Sequence, residues 1–76
     1  MPKIITIHWK DFEKFLLIVG CTFQRQKGSH RSYRKDGLPR PIVIPCEEEL
    51  PVYVIRNNLR TLGIAPKDYF AILENL

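Results

Sequence analysis

The sequence predicts an α+β domain: a helix, three antiparallel strands, a second helix and a short third helix, with the helices on one face of the sheet. Three observations carry that prediction. Phe12, Phe15, Leu16 and Val19 recur at helical spacing and stop at Gly20. Between Cys21 and Pro45 the pattern changes to short β-type segments punctuated by Gly28, Asp36-Gly37 and proline. From Val52 to Gly63 the helical period returns, with Ile55, Leu59 and Leu62 on one stripe. Residues 1–76 read as one domain, with a core that is thin at this length.

Taken in order, Met1 to Thr6 is a mixed apolar lead-in, an arm or an edge strand. The first helix runs from about Trp9, with Lys10, Asp11, Glu13 and Lys14 on the face opposite the apolar stripe. His8 stands at its mouth, where a histidine caps the helix or lies in solvent. Cys21 to Gln26 reads as the first strand, Lys27-Gly28 as a bend or bulge, and Ser29 to Lys35 as the second strand, ended by Asp36-Gly37. Ile42-Val43-Ile44, bounded by Pro41 and Pro45, makes the third. Alternation along the second strand puts His30, Ser32 and Arg34 on one face and Arg31, Tyr33 and Lys35 on the other. Tyr33 is the bulkiest apolar body, so its face meets the core and Arg31 and Lys35 snorkel outward from the margins. Glu47 to Glu49 run toward the second helix, where acids suit the positive end of its dipole. Pro66 opens the third helix, and Tyr69, Phe70, Ile72, Leu73 and Leu76 pack it back on the body.

A hydrophobic content of 45% and a charged content of 26% are ordinary for a globular chain, so disorder is not expected. The apolar run near Phe15 to Val19 is too short to span a bilayer, and charged residues precede it without a cleavage site after it. A cytoplasmic protein without a membrane partner, monomeric when free, is the expectation. Cys21 and Cys46 form no zinc spacing with His8 or His30, so no metal or other cofactor is expected and both thiols read as free.

Charge is concentrated in one stretch. Arg25 to Arg40 holds six of the chain's 12 Lys and Arg residues and a single acid, Asp36, a local charge of +5 in a chain of +4. The remaining residues sum to −1. A focused cationic patch draws polyanions through phosphate contacts and counterion release. Within it, Lys27-Gly28-Ser29-His30 sets an imidazole, which exchanges protons near neutral pH, among phosphate-holding groups. The candidates for contact with such a polyanion, RNA on the resemblance described next, are Arg25, Lys27, Ser29, Arg31, Arg34 and Lys35. Arg56 and Arg60, one turn apart on the second helix, face either phosphate or solvent.

The run Phe23-x-Arg25-Gln26-Lys27-Gly28-Ser29-His30-x-x-Tyr33-x-x-Asp36-Gly37 is followed by Ile44-Pro45. Glu49-Leu50-Pro51 then precedes a helix ending Leu62-Gly63-Ile64. This pattern resembles the HicA toxins, also called YcfA-like mRNA interferases, over nearly the whole chain. The resemblance implies the fold of a double-stranded-RNA-binding domain. It also implies a small ribonuclease of a type II toxin–antitoxin pair, cleaving mRNA without a metal ion, halting translation and blocked by a HicB antitoxin. In that family the catalytic histidine lies in the Gly-Ser-His element, which here is His30, with Lys27 and Ser29 lining the site. The chain departs from the family at one point. Members commonly carry a second histidine just after the Val-Pro that ends the third strand, whereas Cys46-Glu47-Glu48 follows Pro45 here. The alternative reading is a non-catalytic RNA-binding module of the same fold, recognising duplex RNA by its shape.

Overall fold

A computed structural model describes residues 3–76 of the protein; Met1 and Pro2 of the lead-in lie outside the described residues. The elements run α1 (Trp9–Ile18), β1 (Thr22–Lys27), β2 (His30–Arg34), β3 (Ile42–Pro45), α2 (Val52–Leu62) and α3 (Pro66–Leu73). The three strands form one open antiparallel sheet in the order β1-β2-β3. This is the α+β arrangement that the apolar periodicities predict, and it is consistent with the double-stranded-RNA-binding-domain-like fold that the resemblance implies.

The apolar stripe explains α1. Phe12, Phe15 and Leu16 are fully buried, and His8 caps the helix by accepting a hydrogen bond at Nδ1 from the Lys10 N–H, 3.1 Å away. That bond satisfies one of the donors every helix leaves open at its start. At the other end Gly20 takes φ +102°, and the N–H groups of Gly20 and Cys21 close back onto the carbonyls of Leu17 and Leu16. Helix α2 ends the same way at Gly63, whose left-handed backbone lets Ile64 donate to the Leu59 carbonyl at 3.0 Å. Pro66 occupies the first turn of α3, where its missing N–H costs nothing.

The core is one cluster. Tyr33, Ile42 and Ile44 of the sheet meet Phe12, Phe15 and Leu16 of α1, Ile55 and Leu59 of α2, and Tyr69 of α3. Tyr69 sets its ring edge-on against Phe15, with centroids 4.9 Å apart. Of the lead-in, Ile4 is buried and Ile7 makes a single antiparallel bridge to Leu50; the residues between are neither strand nor helix.

Three sequence expectations change. The bend at Lys27-Gly28 is a two-residue hairpin at Gly28-Ser29, with Lys27 still in the strand and Gly28 at φ +60°. A glycine in that first turn position is the signature of a tight hairpin matched to strand twist. Glu47 to Glu49 stand ahead of Pro51, the cap of α2, and no acid occupies its first turn. Leu76 stays about half exposed because α3 ends at Leu73. The free state of Cys21 and Cys46 agrees with expectation. Among the described residues no helix is long and apolar enough to cross a membrane.

Candidate nucleic-acid interface

Strand β2 sorts its side chains between two faces, and its register with both neighbours shows how. Tyr33 pairs with Ile42 and Phe23, and Arg31 with Ile44 and Gln26, on the face covered by helices. His30 pairs with Lys27 and Pro45, and Ser32 with Arg25 and Val43, on the open face. Directly opposed residues of an antiparallel pair hold their Cβ atoms about 5 Å apart, so Lys27 and His30 are immediate neighbours. His30, Lys27, Arg25 and Arg34 are all exposed.

A β-bulge is responsible for Arg25. It stands two residues from Phe23, so an undisturbed strand would turn both toward the same face. Phe23 faces Tyr33, but the register then steps so that Arg25 meets Ser32, leaving Gln24 as the extra residue. The inserted residue carries Arg25 to the open face beside His30. Nothing in the alternation of the sequence signals this step.

The turn is braced from two sides. The Gln26 side-chain amide donates to the Gly28 carbonyl at 2.9 Å, and the Cys46 N–H donates to the Ser29 carbonyl at 2.7 Å. The second contact brings the segment after β3 against the turn that carries His30. It is the segment in which Cys46 and Glu47 replace the expected second histidine.

Arg31, one of the RNA-contact candidates, is engaged within the fold. Its guanidinium lies on the helix-covered face, 2.9 Å from Glu13 of α1, and also donates to the Tyr33 hydroxyl and to Gln26. It stacks over the rings of Phe23 and Trp9, at 4.1 Å and 5.2 Å from their centroids. The Tyr33 hydrogen bond comes first among the influences that raise the Arg31 pKa above its ordinary value. Tyr33 also hydrogen bonds directly to Glu13. Burial, followed by the Glu13 carboxylate, pushes the Tyr33 phenol up to about 12. Glu13 was expected on the solvent face of α1. The signal that placed it inward was available: it lies one turn after Trp9 and one before Leu16, at the border of the apolar stripe.

The remaining candidates fall into two groups. Arg25, Lys27, Ser29 and His30 surround the hairpin tip. Arg34 and Lys35 lie at the far end of β2 beside the 38–41 segment, together with Arg40, which the sequence reading did not single out. Arg56 and Arg60 are exposed on α2, where they line a cleft with Ile4, Ile64 and Pro66.

The model of the family described as HicA toxin of bacterial toxin–antitoxin matches residues 9–64. No curated protein and no solved structure matches the chain. The match begins with the first residue of α1 and runs past the Gly63 cap, so it takes in the whole sheet, the His30 hairpin and both principal helices. The chain belongs to the HicA toxin family of bacterial toxin–antitoxin systems.

Proposed function

We propose that this toxin is a metal-independent endoribonuclease that cleaves mRNA at the open face of its sheet, with His30 as the general acid–base. The observation that carries the reading is the hairpin tip itself: an exposed imidazole directly opposite Lys27, with Arg25 one pair further along the same face. The reaction needs a proton removed from the ribose 2′-hydroxyl, whose oxygen then bonds to phosphorus. The bond from phosphorus to the 5′-oxygen breaks, and that oxygen takes up a proton. The products are a 2′,3′-cyclic phosphate and a free 5′-hydroxyl. His30 moves the first or the second of these protons. Lys27 and Arg25 stabilise the negative charge that grows on the phosphoryl oxygens, and the Ser29 turn adds a hydrogen-bond donor. Arg34 and Lys35 hold the RNA backbone further along. Arg31 keeps the β2 scaffold fixed to α1.

The toxin's partner is, on this reading, a HicB-like antitoxin that covers the basic face with an acidic surface. Growth and total mRNA on induced expression of wild type and His30→Ala test the assignment. Wild type stops growth and depletes mRNA while the variant does neither; cleavage retained by the variant removes it.

A second reading, RNA binding without cleavage, draws on two observations. No side-chain hydrogen bond orients the His30 ring among the described residues, and Cys46-Glu47 stands where the family's second histidine is expected. Harmless expression of a folded wild-type protein that binds RNA would favour it.

A further inference from the structure

The hairpin tip uses only half of the basic segment; the other half has a geometry of its own. Arg34, Lys35 and Arg40 line an open cleft of about 290 Å³ at the end of the sheet, together with Gln24 and the 38–41 segment. Arg34 and Lys35 also line a neighbouring cleft of about 310 Å³, which Thr22 and Asp36 complete. The two ion pairs among the described residues are Lys14–Asp11 and Arg31–Glu13, so neither supplies a counter-charge to these three cations. Two of the three are held in place. The Lys35 stem lies across Gly20, its Cε 3.5 Å from where a Cβ would stand. Burial pushes the neighbouring Cys21 thiol up, and the Lys35 charge pulls it back. Arg40 reaches α2 through Thr61 at 3.4 Å. Asp36 borders the second cleft beside Arg34 and Lys35 but forms no ion pair with either. Three cations around a cleft outnumber that single acid and repel one another, and a bound anion relieves the repulsion.

We infer that this cleft is a second phosphate subsite, which grips the RNA backbone away from the scissile bond. The inference rests on the ribonuclease reading for the nature of its ligand, not for its geometry. A strand advances about 3.4 Å per residue, so Arg34 lies about 14 Å along β2 from His30. One phosphate cannot touch both. At about 3.4 Å of rise per nucleotide in a stacked strand, and more in a stretched one, the gripped phosphate is about two to four nucleotides from the cleaved one. The bulge that turns Arg25 outward places Gln24 on the cleft wall, so one inserted residue serves both ends of the track.

The first test titrates the full-length protein, labelled with nitrogen-15, with inorganic pyrophosphate and follows the backbone amides by NMR. Shifts grouped at Gln24, Arg34, Lys35, Leu38 and Arg40 are expected. Shifts confined to Lys27 and His30, or spread evenly over the basic residues, overturn the subsite. The second test measures RNA binding by His30→Ala protein against salt concentration. Adding Arg34→Gln and Arg40→Gln weakens binding about tenfold and flattens the salt slope by about 1.4, the value for two lost contacts to a single strand. Arg56→Gln with Arg60→Gln removes the same charge from α2; an equal loss from that pair shows that net charge alone is sensed and overturns the inference. The two readings fail separately. Cleavage that survives His30→Ala removes the ribonuclease assignment and leaves a pyrophosphate map intact, whereas an absent map removes the subsite and leaves His30-dependent cleavage standing.

Discussion

His30 and Arg31 are adjacent in sequence, and the sheet gives them opposite surroundings. Arg31 is tied to Glu13, Tyr33 and Gln26 and stacked between two aromatic rings. His30 stands in solvent opposite Lys27. On the covered face a charge survives only with its partners supplied by the fold, because leaving a half-buried charge unpaired is costly. On the open face water satisfies every charge, so the residues there are free to meet a ligand. A basic residue in this segment is therefore informative about RNA only once its face is known.

The comparison predicts which substitutions damage activity and which damage the fold. His30→Ala should lower cleavage by about 10²–10⁴-fold, the range for removing a general acid–base group, while the thermal midpoint stays close to wild type. Cleavage rates and a melting curve on the same preparation check both halves. If the variant melts much earlier, the open face is structural after all. Tyr33→Ala should do the reverse, costing about 3–5 kcal/mol of stability by emptying the centre of the covered face. In a domain this small that is most of the total stability, and chemical denaturation of the purified variant reads it.

A smaller effect follows from the phenols. Tyr33 and Tyr69 are both pushed up to about 12, Tyr69 by burial alone and with its buried hydroxyl unpartnered. Their folded values exceed the ordinary value of about 10, so the stability they support is complete below about pH 10. It is lost as pH rises toward about 12. Urea midpoints measured from pH 9 to pH 12 should fall across that window, and a flat profile would contradict the burial of the two rings. Glu13→Gln leaves Arg31 without its counter-charge and should cost about 1–3 kcal/mol. The pair keeps about a fifth of its side-chain surface in solvent, so an effect at the upper end of that range would be a surprise. Its readout is the denaturation midpoint, with RNA affinity unchanged. Arg25→Gln sits at the small end. Stability should move by less than about 0.5 kcal/mol, while the salt slope of RNA binding flattens by about 0.7. Loss of stability without a change in slope would place Arg25 with Arg31, on the structural side of the divide.

Much of this was legible without coordinates. The stripe Phe12–Val19 and its Gly20 stop, the second stripe from Val52 to Gly63, and Pro66 each belong to a local rule that acts within one or two turns. So does the alternation that turns Tyr33 inward and His30 outward. The concentration of charge between Arg25 and Arg40 is also a property of the chain alone. These features survive into the structure because nothing non-local competes with them.

Tertiary structure decided the rest. The bulge at Gln24, which moves Arg25 from the covered face to the open one, exists only relative to β2, because register is a relation between two strands. Arg31 belongs to the cationic segment as much as Arg25 and Arg34 do, and only the approach of α1 supplies it with Glu13 as a partner. The cleft of Arg34, Lys35 and Arg40 is assembled from a strand end and a loop that returns beside it. Local propensity and charge fix what each short segment is. Which charges find partners and which face a ligand depends on contacts between segments far apart in the chain, and those are set by packing alone.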